Sequence, residues 1–401
     1  MNPSLLTDHP FGADYAKRLG VPAWTGALPG PKVEEWRFTP LRSLAKVAFA
    51  PATSVGFDTL PRNIPMIAGA ARLVLVNGAY RKNLSTVDLG KGVEVSHGKV
   101  AAKEGSSLIA LNAAYAPESL VIHVTAKTKK LIHIISIGAA GAEPAALHPR
   151  ITVTAESGAE ITLVESHVGL PGQTYFSNPV TSITVGEGAT VRRYVSVDED
   201  SAAFHLATSL VKVAGGGTFE AFHLGLGGAL VRQEIRVALT GDNANVRLNG
   251  AYALDGTSHH DFTTLMDHAF PNCNSSQVFK GVVDGESHGV YQGRIHVARD
   301  AQKTDARQVH KALFLARGPA IDCKPELEIY ADDVQCAHGA ATGEIDENQI
   351  FYLRSRGIDD ATARSLLVEG FLADAMAEIN HEGIRELFTA DVTRWLKARK
   401  P

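Results

Sequence analysis

Cys336 and His338 stand two residues apart within residues 325–357, PELEIYADDVQCAHGAATGEIDENQIFYLRSRG, where strand-like sequence gives way to helix. If residues 334–338 are extended, both side chains point to one face, because strand side chains alternate with a period of two. A thiol beside an imidazole makes a soft-metal or redox corner. The same pair also reads as a small buried hydrophobe and a satisfied histidine next to the Gly339 turn. Spacing alone favours that structural reading, since a single C-x-H pair is a weak metal signal.

A second polar stretch, GTSHHDFTTLMDHAFPNCNSSQVFKG (256–281), holds His259, His260, Asp261, Asp267, His268 and Cys273. If His260 and the Asp267, His268 pair faced one pocket, hydrolytic metal chemistry would follow. On stacked strands such side chains mostly face solvent, and that is the expectation here. Lys280, Gln302, Lys303, Thr304 and Gln308 read as a solvated face or turn positions. There is no GxxxxGK[ST] phosphate loop, and no GxSxG, HExxH or CxxC. The glycine-rich pieces at 214–217 and 225–228 have no following helix whose dipole would hold phosphate.

The chain that must position these residues has 401 of them, enough for several domains or one elongated architecture. Lys plus Arg total 39 against 43 Asp plus Glu, which gives no basic field for nucleic acid. Three cysteines are too few and too scattered for a disulfide framework, which favours a reducing, cytoplasmic setting. The opening, MNPSLLTDHPFGADYAKRLG, lacks the basic and apolar regions of an export signal, and no run approaches eighteen apolar residues, so no membrane association is expected.

Half of the 18 prolines lie between Pro3 and Pro65, limiting that segment to short helices such as 14–19 and 41–47. Between these helices Trp36 and Phe38 are candidate anchors, most simply of an N-terminal cap. From Arg72 onward, segments such as ARLVLVNG, ITVTAESGAEITLVESHV and TSITVGEGATVRRYVSV are rich in Val, Ile and Thr and read as strands. A weak repeat runs through them, with tight turns at Gly158, Gly188, Gly217 and Asn243 that recur at a slightly drifting period just under thirty. Strands at a near-regular period without helices between them predict a solenoid, each coil burying its inner face on its neighbours. A sandwich or barrel is the alternative. The open ends of a solenoid invite pairing with another chain unless terminal helices cover them.

After Gly343 helical patterning takes over. Asp346 can cap a helix with Gln349 in a capping box and Gly357 beyond its end, and Asp359 can cap a second. Leu367, Phe371, Leu372, Ala375, Met376 and Ile379 form one apolar face on that second helix, and 384–399 supplies a third. Taken alone, the pattern favours packing on the chain's own domain.

The segments DHAFPNCNSSQVFKG, YQGRIHVARDAQKTDARQ, KPELEIYADDVQCAHGAATGEID and FYLRSRGIDDATARSLLVEGF, with KVEEWRFTPL near the start, resemble the SufB/SufD family of iron–sulfur cluster assembly proteins. The match runs from about Glu34 to Phe371, and the length and the Cys-x-His-Gly pattern place it nearer the SufD branch. The resemblance implies a mainly β chain: a right-handed β-helix core at 66–343 between helical domains at 1–65 and 344–401. It implies a non-catalytic scaffold subunit that pairs with a SufB-like sister through β-helix edges. The C-terminal helices would dock a SufC-like ABC ATPase through residues such as Tyr352, Arg354, Arg356, Leu367 and Phe371.

By the same resemblance, His338 and Cys336 become ligands for iron or a nascent cluster at the interface with SufB, and the isolated chain carries no cofactor. Ala337 stands where Ser is common in the family, and Ala340–Ala341 leaves no further cysteine, so the partner must bring the remaining ligands. A homodimer in the partner's absence is a further implication. Deletion of 346–401 is expected to abolish ATPase binding and leave the β core folded. The competing readings are a SufB-like scaffold that holds the cluster itself and a carbohydrate-active β-helix enzyme, which would need paired carboxylates in a groove.

Overall fold

Along Asn245–Leu254, Val246, Leu248, Tyr252 and Leu254 point inward, while Ala251 and Ala253 point outward. This alternation recurs strand after strand, and it builds a solenoid. The computed structural model describes residues 10–53, 55, 57, 59–61, 64–98 and 106–398. Among them, eight successive coils each give one strand to a first sheet and one to a second, from Ser119–Val124 and Lys127–Gly138 to Ala320–Ile329 and Gln335–Glu344. All coil-to-coil pairing is parallel. A continuous apolar column, from Leu73 through Ile161, Val191, Phe219 and Phe279 to Ala306, fills the space between the sheets.

The turns follow from backbone preference. Gly158, Gly188, Gly216, Asn243, Asn272 and Lys303 all have φ between 57° and 70°, and they recur once per coil. Each donates its backbone N–H to the neighbouring coil's turn, as Gly188 does to Gly215 O at 3.0 Å and Asn272 to Gln302 O at 2.9 Å. The left-handed residue of the third turn is therefore Gly216, not Gly217. Gly217 is glycine for another reason: a Cβ there would lie 2.9 Å from Ala214 O and 3.1 Å from Gly186 O.

Each outer face is covered by one end of the chain. On the first sheet, Phe204, Leu206 and Leu230 pack with Phe11, Tyr15, Trp36, Leu44 and Phe49 of the N-terminal segment. The helix Ser107–Tyr115, which the strand pattern after residue 66 does not anticipate, joins this cluster. Trp36 lies buried with the Arg232 guanidinium 4.1 Å from its ring centroid, so it anchors the segment to its own solenoid. On the second sheet, Val164, Tyr194, Phe222, Leu224 and Val282 pack under the C-terminal helices Glu347–Ser355, Asp360–Met376 and Glu382–Ala398. The expected N-terminal helices appear at Ala13–Leu19 and Arg42–Ala45. Residues 1–9 of the expected N-terminal domain and 399–401 of the C-terminal one lie outside the described residues.

Two expectations change as a result. The terminal helices cover sheet faces rather than the strand edges, because their apolar stripes need the broad surface of several coils. Deleting 346–401 would uncover Phe222, Leu224 and their neighbours, so it cannot test docking with the core intact.

Candidate functional site

Gln335–Glu344 is the last strand of the second sheet and runs in register with Asp305–Phe314, with Ala306 opposite Cys336 and Gln308 opposite His338. Ala306 and Gln308 are both fully buried inside the solenoid. Cys336 and His338 therefore face the same interior, as their spacing predicts, but among the described residues no further coil closes over them. Cys336 is half-buried against the inner column, and His338 is exposed. Burial, ahead of nearby hydrogen bonds and charges, raises the Cys336 thiol, and burial pushes Cys323 up to about 11. Both thiols are thus neutral near pH 7, and a metal would have to displace a proton from Cys336.

The last coil leaves two ten-residue strands without an outer neighbour among the described residues, Ala320–Ile329 in the first sheet and Gln335–Glu344 in the second. Gln335 N–H donates to Thr304 O at 2.8 Å, so the odd-numbered residues of its strand bond back to the previous coil. Consequently the N–H and C=O groups of Cys336, His338, Ala340 and Thr342 point to the open edge. On Ala320–Ile329 the parity is reversed, since Ala320 N–H donates to Ser287 O at 2.9 Å. Pro325 falls on the open side there, where its missing N–H breaks no ladder bond. The edge that carries Cys336 and His338 has the fuller set of donors.

Only Ile345 and Asp346 separate this strand from the first C-terminal helix. Asp346 caps that helix by accepting from Asn348 N–H at 2.9 Å, an ordinary cap rather than the expected box with Gln349. Asp359 caps the second helix through Thr362 N–H at 3.0 Å, and Gly357 between them has φ 87°. Of the residues expected at a docking surface, Tyr352, Arg354 and Arg356 are exposed, with Arg356 stacked 5.3 Å over Tyr352. Leu367 and Phe371 are half-buried against the helices' own sheet. Lys280 reaches from the sheet to pair with Asp374 and lies 5.2 Å from the Phe371 ring centroid.

Beyond the expected Tyr352, 58% exposed, sequence reasoning missed two exposed apolar residues of the first two C-terminal helices: Phe351, 74% exposed, and Leu366, 45% exposed. A helical projection could have found them, since Ile350 takes the buried position and turns Phe351 outward. An open groove of about 810 Å³ also runs between the second and third helices, lined by Met376, Ala377, Ala390 and Thr393 among others.

The polar stretch at 256–281 does not assemble into one pocket. Alternation sends His260 and His268 inward and His259, Asp261 and Asp267 outward. His260 and His268 are separated by roughly 26 Å of strand. His268 bonds Ser275 Oγ at 2.8 Å, Asp267 pairs with His296 at 2.7 Å, and Asp261 binds Arg232 and Thr39. Cys273 is buried beneath Gly241 O. Nor are Lys280, Thr304 and Gln308 a solvated face: all three are buried, because Lys280 serves the helix contact and Gln308 donates to Gly293 O at 3.1 Å inside the coil. Gln302 and Lys303 are turn positions, as expected.

A family model and three relatives bear on this architecture. Residues 136–371 match the family model described as SUF system FeS cluster assembly, SufBD core domain. The chain is similar to the iron–sulfur cluster assembly protein SufD of Escherichia coli, 32% identical over 91% of this chain and 88% of that protein. It is also similar to SufBD family proteins of Synechocystis, 29% identical over 90% of this chain and 87% of that protein, and of Mycobacterium tuberculosis, 30% identical over 92% and 90%.

Proposed function

The chain belongs to the SufB/SufD family of the SUF iron–sulfur cluster assembly system, most like SufD, and from that premise we propose that it is the non-catalytic subunit of an assembly scaffold, pairing with a SufB-like sister through its terminal coil. One observation carries this reading. The open strand presents the unpaired backbone of Cys336, His338, Ala340 and Thr342. An extended segment of another chain can add to such an edge by main-chain hydrogen bonds. A SufB strand seated there would bring its own ligands beside His338 and Cys336.

The site chemistry supports the same arrangement. An imidazole and a thiolate are competent iron ligands, yet two ligands do not hold a cluster, and among the described residues no third His, Cys, Asp or Glu joins them. The cluster is then cargo shared with SufB. Ligands divided across an interface let subunit motion open or close the site.

That motion would come from a SufC-like ABC ATPase docked on the C-terminal helices, where Phe351, Tyr352 and Leu366 lie exposed, as do Arg354 and Arg356. The strand that carries His338 continues into those helices after only Ile345 and Asp346, a short lever between ATPase and interface. The complex works in the cytoplasm, and among the described residues no helix is long and apolar enough to cross a membrane. Without SufB, the same edge would pair a second copy of the chain.

The test is co-expression with a SufB-like and a SufC-like protein, followed by affinity purification of this chain. A stoichiometric complex containing both supports the reading. A chain that purifies alone from cells holding both partners refutes it.

A further inference from the structure

At the corner where the second sheet hands over to the first, three side chains from two adjacent coils converge. His167 lies near the end of Glu160–Gly169, Glu199 follows Thr190–Asp198, and His205 opens Phe204–Val213. Their imidazole and carboxylate ligand atoms all lie within 4.8 Å of one another. They are enclosed, with exposures of 3%, 6% and 0%. The His167 and His205 rings meet edge to face at 4.9 Å, and His205 Nδ1 lies 3.2 Å from Glu199 Oε1.

The hydrogen bonding of this corner is incomplete. Among the described residues, His167 Nδ1, His205 Nε2 and Glu199 Oε2 are buried without a hydrogen-bond partner, and the approach of His205 Nδ1 to Glu199 Oε1 lacks the geometry of a hydrogen bond. Buried polar atoms are nearly always satisfied, and a cluster left open calls for an ion or water. The charges point the same way. Glu165, 3.7 Å from His167 Nε2, is held at both oxygens by Arg193 at 2.7 Å, so that pair is neutral. Among the described residues no Lys or Arg pairs with the buried Glu199 carboxylate, a place that a cation would fill.

The geometry points to a divalent cation site formed by His167, Glu199 and His205, selective for first-row transition metals of the iron-to-zinc series. Two imidazole nitrogens and one carboxylate oxygen suit those ions and disfavour magnesium and calcium, which take oxygen ligands. The ligand atoms must close by roughly 0.5–1 Å to reach bonding distances of about 2.1 Å. An adjoining cavity of about 10 Å³, lined by His167, Arg193, His205 and His223, has room for a single water at an open coordination position. The site lies coils away from His338, and it requires neither the sister subunit nor the ATPase.

The experiment uses the purified full chain, stripped with chelator and titrated anaerobically with Co(II), then with Fe(II) and Zn(II) in competition. The expected result is about one Co(II) per chain, with visible d–d bands free of thiolate charge transfer and displaced by Zn(II). Binding should vanish in Glu199→Gln and His205→Asn and persist in the Cys336→Ala, His338→Ala double variant. Glu199→Gln removes the uncompensated charge at constant shape, so the metal-free variant should unfold no lower than wild type. If the corner is instead a permanent ion pair of protonated His205 with Glu199, that variant unfolds lower and wild type binds no Co(II). Either that result or Co(II) retained in Glu199→Gln overturns the proposal. Because the readout is metal on the isolated chain, failure here leaves the scaffold reading untouched.

Discussion

His338 stands in register with Gln308 one coil earlier, and both face the solenoid interior, yet only Gln308 is closed off from solvent. The difference arises because Gln308 has a coil on each side and His338 has one. A position that would be core in any earlier coil is therefore the accessible end of the interior in the last one.

Replacing His338 by Ala should leave the fold and the assembled complex intact, because an exposed side chain that holds nothing together contributes within about 0.5 kcal/mol. Cluster formation on the purified complex should fall by roughly tenfold or more, as even the loss of a ligand's hydrogen-bonding partner costs that much. Visible absorption and circular dichroism during reconstitution measure it. Wild-type formation by the variant would remove His338 from the site.

Ala340→Pro tests the edge itself. Position 340 directs its N–H outward, so proline deletes one donor from the open edge while the ladder to Asp305–Phe314 keeps all of its bonds. The isolated variant should fold, with some strain from the fixed φ, and should lose the sister subunit in co-purification. Retention of the partner at wild-type yield would move the interface elsewhere.

A double change, Phe351→Ser with Leu366→Ser, should abolish ATPase co-purification. Its thermal midpoint should stay near or above that of wild type, because both side chains already face solvent. It replaces the deletion of 346–401, which would also strip an apolar sheet face. Undiminished ATPase binding would send the docking surface to the groove between the second and third helices.

Stability should fall as pH drops from about 6.5 toward 4. Burial pushes His148, His223 and His260 down to about 3 and His133, His268 and His310 down to about 4. Below their unfolded pKa near 6.5 the unfolded chain takes up protons that the folded chain refuses, at about 1.4 kcal/mol per pH unit for each such histidine. Their contribution is present in full above pH 6.5 and lost toward their folded values. Urea midpoints across this range measure the slope, and His310→Gln, which can still accept from the Tyr252 hydroxyl, should flatten it. Midpoints independent of pH between 4 and 7 would contradict the burial.

Much of this was legible in the chain. Alternating Val, Ile and Thr, turn residues tolerant of positive φ at a period near thirty, and the Asp346 and Asp359 caps are local signals, set by sterics within a few residues. They determined a solenoid followed by helices, and the motifs around Cys336 and His338 determined the family. Tertiary structure decided the rest, because burial depends on what lies a coil away. Lys280 and Gln308 resemble surface residues until a helix and a neighbouring coil close over them, and Cys273 and His260 turn inward away from Asp261 and Asp267. Glu199 and His205 join His167 only where the second sheet turns into the first, a corner one coil on from His167 that no local pattern in the chain discloses. The chain's pattern fixes which way each strand residue faces, while only stacking decides whether that face meets another coil, a helix, an ion or an open end.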